Sequence, residues 1–127
     1  MEKSVLLIED DPDIRMLATM TLRMNDIPVV ACAEGESALR AMEASEFSLV
    51  ILDVTLPDMS GSDVLRQMIE RFGDRVPPVA LFTAHSPEVT AREFRGHPVT
   101  EILAKPFEPS ALAQAVQALL RRSRVPS

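Results

Sequence analysis

Short apolar segments alternate along the chain with longer segments in which apolar residues recur at helical spacing. A short continuous apolar run is typical of a strand that is buried on both faces of a parallel sheet. Five segments fit this description: residues 5–8, 27–33, 48–52, 79–82 and 102–104. A helical pattern follows each of them, and repeated strand–helix units predict an α/β fold, a parallel sheet with helices on both faces.

The helical segments have clear starting signals and apolar faces. The predicted helices begin near residues 12, 36, 62, 87 and 109, and the first three end near residues 24, 44 and 72. Gly96 and Pro98 are expected to end the fourth helix. The first helix is predicted to bury Ile14, Leu17, Ala18 and Thr21, and the third Val64, Leu65, Met68 and Ile69.

Polar residues stand directly after four of the five predicted strands. Glu9 and Asp10 follow the first strand and Asp53 the third, while Thr83 follows the fourth and Lys105 the fifth. The carboxyl ends of parallel strands lie at one edge of the sheet, where open α/β folds bind their ligands. The placement therefore predicts that these side chains share one pocket.

The chemistry of this residue set indicates a cation and a phosphoryl group. Two carboxylates about 4 Å apart repel by roughly 4 kcal/mol at an effective dielectric of 20, so Glu9, Asp10 and Asp53 would need a cation between them. Oxygen ligands favour Mg²⁺ or Ca²⁺, and Mg²⁺ suits carboxylates combined with a phosphate. A carboxylate in such a site can act as a nucleophile toward phosphorus. Each residue also has a purely structural interpretation, such as helix capping by an acidic residue, but their joint placement favours a site.

The pocket residues lie within four longer motifs, which are Val5-Leu-Leu-Ile-Glu-Asp-Asp-Pro-Asp-Ile-Arg15, Leu52-Asp-Val-Thr-Leu-Pro-Asp-Met-Ser-Gly61, Phe82-Thr-Ala84 and Lys105-Pro-Phe107. These motifs resemble the receiver domain of bacterial two-component response regulators. The resemblance covers essentially the whole chain. It implies a flavodoxin-like doubly wound sheet of five parallel strands in the order 2-1-3-4-5, with five helices.

The resemblance also implies a role for each residue of the pocket. Asp53 would accept the phosphoryl group, and Lys105 and Thr83 would bind it. Glu9, Asp10, Asp53 and the backbone carbonyl of Thr55 would hold Mg²⁺, Glu9 through water. The Lys105–Pro106 peptide bond is expected to be cis. The implied partner is a sensor histidine kinase or a histidine phosphotransfer protein.

Three further predictions come from residues around this framework. Family members usually carry Tyr or Phe three residues before the Lys, where this chain has Ile102, so we expect weaker switching of the output surface. Thr55 and His85 occupy positions that flank the phosphoryl group in the family and are expected to influence its lifetime. Met16 and Met20 point away from the predicted buried face and are candidates for partner docking; the alternative is burial by a neighbouring helix.

Composition narrows the remaining possibilities. The net charge of −6 and pI of about 4.9 argue against nucleic-acid binding through this domain. The single cysteine, Cys32, cannot form an internal disulfide, and we find neither a leader pattern nor a long apolar run. We therefore expect a cytoplasmic protein without membrane contact. The resemblance implies a monomer or phosphorylation-dependent dimer, with a receiver over residues 1–122 and a tail over 123–127.

Two other functions stay open at this stage. A haloacid-dehalogenase-type phosphatase also places a nucleophilic Asp after a strand, but it needs a second Asp where this chain has Thr55. A degenerate receiver would bind partners without phosphorylation, although the complete set of pocket residues argues against that. We do not expect a conventional enzyme, but a phosphoacceptor that supports its own phosphorylation and dephosphorylation.

Overall fold

Strands and helices alternate along residues 4–124, which are the residues that the computed structural model describes. The strands are β1 (Ser4–Ile8), β2 (Val29–Cys32), β3 (Phe47–Asp53), β4 (Val79–Thr83) and β5 (Glu101–Ala104). The helices are α1 (Pro12–Met24), α2 (Gly35–Ala44), α3 (Gly61–Phe72), α4 (Pro87–Glu93) and α5 (Pro109–Arg124), with a short 3-10 turn at Gly73–Arg75. None of the helices within these residues has the length and apolar character needed to cross a membrane.

The five strands form one parallel sheet in the order β2-β1-β3-β4-β5. Successive side chains of a strand point to opposite faces, so β1 contributes to two cores at once. Leu6 and Ile8 pack into the core that includes residues of α2 and α3, whereas Val5 and Leu7 pack into the core that includes residues of α1 and α5. This two-sided burial explains the continuous apolar runs and confirms the predicted fold.

Two residues predicted to be buried lie at the surface instead. Leu17 is 48% exposed and Ile69 is 37% exposed. Each helical residue is rotated by about 100° from the previous one, and the buried side of α1 is centred on Ala18 and Leu22, which leaves Leu17 at its edge. Ile69 lies at the equivalent edge of α3. The predicted inward positions of Leu17 and Ile69 were therefore wrong.

The second strand is shorter than the pattern predicted. Asp26 adopts a left-handed backbone conformation with φ of 61°, and Pro28 has no N–H for the sheet. Regular pairing with β1 therefore begins at Val29, although Ile27 is still buried and the Pro28 carbonyl accepts a hydrogen bond from the Val5 amide.

Candidate functional site

Side chains from the carboxyl ends of four strands line one open cavity of about 500 Å³. Strands β1, β3, β4 and β5 all point toward this edge, because the sheet is parallel throughout. The structure brings together all six residues singled out from the sequence. The lining includes Glu9, Asp10, Asp53, Thr55, Thr83 and Lys105.

The centre of the cavity is a lysine held between two buried carboxylates. Glu9 is fully buried and Asp53 is 3% exposed. The Lys105 Nζ lies 2.5 Å from Glu9 Oε1 and 3.2 Å from Asp53 Oδ2. The Lys105 amide donates to the Thr83 carbonyl, and the Lys105–Pro106 bond is cis, as predicted. One cation thus compensates two buried anions, which leaves the cluster with excess negative charge.

Burial, together with this charge imbalance, changes the acidity of Asp53. Burial and the neighbouring Glu9 carboxylate raise the pKa of Asp53 from 3.8 to about 7, against the opposing effects of the Thr55 amide and Lys105. The Thr55 amide donates to Asp53 Oδ1 over 3.0 Å. Asp53 is therefore costly to ionise in the metal-free protein, and a cation in the cavity would remove that cost.

The donor set fits a hard divalent cation. Carboxylate oxygens of Glu9, Asp10 and Asp53 lie within 4.8 Å of one another. Glu9 Oε1 is buried and accepts no well-directed hydrogen bond, although the Lys105 nitrogen is close to it. Glu9 Oε1 can therefore accept a further contact. Together with the exposed Asp10 carboxylate beside it, this oxygen suits direct or water-mediated contact with Mg²⁺.

Hydroxyl and imidazole groups lie on the β4 side of the cavity. The Thr83 hydroxyl is buried and accepts a hydrogen bond from the His85 amide over 2.9 Å, so its proton can be donated to another acceptor. His85 lines the cavity, and its ring Nδ1 is 3.7 Å from a Glu93 carboxylate oxygen at the end of α4. His85 therefore belongs to the lining of the same cavity as Asp53 and Lys105.

Two residues that shape the loop after β3 were not assigned a role from the sequence. A Cβ on Gly61 would lie 2.8 Å from the Asp53 carbonyl oxygen and from the Val54 Cα, so only glycine allows α3 to start so close to Asp53. Asp58 accepts hydrogen bonds from the Gly35 and Glu36 amides, both over 3.0 Å, and so caps α2 from a distant loop. The only sequence signal for either was its place in the second motif.

Ile102 borders a separate cavity of about 540 Å³ between α4 and β5. Its side chain is partly buried against the core that contains Leu81 and Phe94. By the resemblance seen in the sequence, an aromatic ring would be expected at position 102, and the residue here is Ile.

The outer face of α1 carries a stripe of exposed apolar side chains. Met16 is 60% exposed, Met20 52% and Met24 81%, and the exposed Leu17 adjoins them. Burial of Met16 and Met20 by a neighbouring helix is therefore not observed.

Comparisons with known proteins agree with the fold and with the resemblance seen in the sequence. The sequence profile of the family described as "Response regulator receiver domain" matches residues 5–117. The chain is 29% identical over 125 residues to the alkaline phosphatase synthesis transcriptional regulatory protein PhoP of Bacillus subtilis, covering 98% of this chain and 51% of PhoP. It is 31% identical over 123 residues to the DNA-binding response regulator MtrA of Mycolicibacterium smegmatis, covering 97% of this chain and 53% of MtrA.

A solved structure shows the same architecture. The chemotaxis response regulator CheY4 of Vibrio cholerae superposes with a TM-score of 0.85 at 25% sequence identity, covering 94% of this chain and 99% of CheY4. The chain spans about half the length of the curated relatives it matches. These matches do not favour the phosphatase or the phosphorylation-independent module. The chain belongs to the response regulator receiver domain family and has the phosphoacceptor role of two-component signalling.

Proposed function

We propose that Asp53 is the residue that accepts the phosphoryl group, with Glu9, Asp10 and Asp53 as the side-chain ligands of Mg²⁺ and the Thr55 carbonyl as a fourth protein ligand. The observation that carries this proposal is the burial of the Asp53 carboxylate at the end of β3, with Lys105 and two further carboxylates around it. Asp10 and Asp11, in the loop after β1, lack this environment because both residues are exposed.

The reaction is a transfer between two nucleophiles. A carboxylate oxygen of Asp53 attacks the phosphorus of a phosphohistidine, an O–P bond forms as the N–P bond breaks, and the electron pair returns to the imidazole. A bound magnesium ion supplies positive charge that neutralises the phosphoryl oxygens. Attack by water on the acyl phosphate then regenerates the Asp53 carboxylate and releases phosphate.

Lys105 and Thr83 hold the phosphoryl group in this proposal. The Lys105 ammonium already contacts Asp53 and can exchange its contact with Glu9 for one with a phosphoryl oxygen. The Thr83 hydroxyl can donate a hydrogen bond to the same group. Such positioning by the chain's own residues supports both phosphorylation and dephosphorylation without a conventional enzyme active site.

The proposal also covers the phosphodonor, the surface on which it docks, and the bounds and oligomeric state of the domain. The donor is a sensor histidine kinase or a histidine phosphotransfer protein in the cytoplasm, and it docks on the exposed apolar stripe of α1 formed by residues 16, 17, 20 and 24. The receiver spans residues 1–122 and a short tail spans 123–127, and the domain is a monomer or a phosphorylation-dependent dimer without nucleic-acid contacts of its own.

Labelling with a small phosphodonor tests the site directly. Acetyl phosphate with Mg²⁺ should add one phosphoryl group per chain, measured by intact mass spectrometry, and Asp53→Asn should add none. Asp74→Asn removes an exposed carboxylate from the 3-10 turn and should be labelled like the wild type. Labelling that persists in Asp53→Asn, or that is unaffected by EDTA, would overturn the assignment. Sustained turnover of phosphate esters would favour a phosphatase.

A further inference from the structure

The loop between β1 and α1 contains a cationic side chain that the proposed reaction does not use. The Arg15 Nη1 atom donates to the carbonyl oxygen of Glu9 over 3.0 Å and to that of Asp10 over 3.2 Å. Arg15 lies in the first turns of α1, and its half-buried side chain reaches back toward the end of β1. Glu9 and Asp10, whose backbone it binds, supply two of the three carboxylates in the acidic cluster that they form with Asp53.

Other hydrogen bonds hold the rest of the loop between β1 and α1 in place. The Asp11 amide donates to Glu9 Oε2 over 3.1 Å, and Asp11 Oδ1 caps α1 by accepting from the amides of Asp13 and Ile14. The Arg15 amide donates to the Asp11 carbonyl over 2.9 Å. The carbonyls of Glu9 and Asp10 lie between the last strand residue and the helix, so the Arg15 guanidinium satisfies acceptors beyond the regular strand and helix.

We propose that Arg15 is a positioning residue that fixes the backbone of Glu9 and Asp10, so that their carboxylates are already oriented for a divalent cation. Ordering the backbone of a residue costs conformational entropy, and a loop that is already ordered before the cation binds does not incur this cost on binding. The inference rests on the proposed function, because it assumes that these carboxylates hold Mg²⁺.

The positive charge of Arg15 and its two hydrogen bonds have opposite effects on the affinity for Mg²⁺. A guanidinium near the acidic cluster repels a second cation, so its removal by itself would strengthen Mg²⁺ binding. Loss of the two hydrogen bonds would weaken binding, because the loop must then be ordered by the metal. The sign of the change in affinity therefore separates a positioning role from a purely electrostatic one.

The test uses three variants of the full chain. Arg15→Met removes both the charge and the hydrogen bonds, whereas Arg15→Lys keeps the charge on a shorter side chain without the planar guanidinium. The matched control is Arg23→Met on the last turn of the same helix, where Arg23 Nη2 donates to the Val29 carbonyl over 3.1 Å, far from the cavity. Mg²⁺ affinity is measured from amide chemical shifts, and unfolding by urea in EDTA reports stability.

We expect both Arg15 variants to bind Mg²⁺ about 10-fold more weakly, as is typical when a partner that orients a metal ligand is removed. Arg23→Met should keep the wild-type affinity even if it loses as much stability. Amide exchange in EDTA should show lower protection of the Asp11 amide in both Arg15 variants and unchanged protection in the control.

Three results would overturn the proposal: wild-type affinity in Arg15→Lys, tighter binding in Arg15→Met, or unchanged protection of the Asp11 amide. If Arg15→Met does not fold, Arg15→Lys decides the outcome by itself. Failure of the wild type to bind Mg²⁺ would refute the metal site of the proposed function, and the exchange measurement would still decide whether Arg15 orders the loop.

Discussion

The raised pKa of Asp53 predicts that this residue destabilises the metal-free receiver. A carboxyl group whose pKa is higher in the folded than in the unfolded state favours folding only when protonated, so its ionisation costs stability as pH rises. The pKa rises from 3.8 to about 7, so the cost is absent below the lower value, grows across this interval and is complete above the higher one. Asp53→Asn, which cannot ionise, should be more stable than the wild type at about pH 8 in EDTA.

The magnitude follows from the change in the pKa of Asp53, with one correction. Raising this pKa from 3.8 to about 7 corresponds to about 4 kcal/mol, which is an upper limit on the gain in stability. Asn also loses the ion pair that Asp53 Oδ2 makes with Lys105 at 3.2 Å, and this loss reduces the gain. We expect a net gain of about 1–2 kcal/mol at about pH 8 and less than half of that at about pH 5.

Urea unfolding followed by far-UV circular dichroism measures this difference, since the chain has no Trp or Tyr for fluorescence. With Mg²⁺, the wild type should become more stable than Asp53→Asn. A ligand at about 100 times its Kd stabilises the folded state by about 2.7 kcal/mol, and Asn at position 53 offers the metal no charge. The control variant Asp74→Asn should have the same free energy of unfolding as the wild type, both in EDTA and with Mg²⁺. Equal or lower stability of Asp53→Asn in EDTA, or a gain that does not depend on pH, would refute the reasoning.

Three other predictions concern the surroundings of the site. Beryllofluoride with Mg²⁺ should shift the amide resonances of residues 99–107 less than those around Asp53, because the β-branched Ile102 is stiff and too small to act as the family's aromatic switch; shifts of equal size would show that β5 switches regardless. Met16→Lys should weaken docking of a phosphorylated histidine kinase by about 1–2 kcal/mol, seen as slower phosphotransfer while labelling by acetyl phosphate is unchanged; an unaltered transfer rate would exclude this surface. His85→Ala should shorten the lifetime of the phosphorylated chain by opening the cavity to water, and an unchanged dephosphorylation rate, measured by mass spectrometry, would reject that role.

Much of the fold was predictable because local signals agreed with one another. Continuous apolar runs, such as residues 48–52, are required where a strand is covered on both faces, so they predicted β3 and its neighbours within one or two residues. Pro87 and Pro109 correctly predicted the starts of α4 and α5. The convergence of Asp53 with Lys105 was predictable because it needs only parallel strands, whose ends must meet at one edge.

The sequence by itself thus determined the strand–helix order, the parallel sheet and the residue types at its functional edge, since these depend on periodicity and on position along the chain. The tertiary structure alone decided which helical residues are covered, because Leu17 and Ile69 lie at the edges of faces whose width depends on neighbouring elements. It also decided that Lys105 bridges Glu9 and Asp53, and that Asp58 caps α2. Such contacts join residues far apart in sequence, so their distances are set by how the elements pack and by no local pattern.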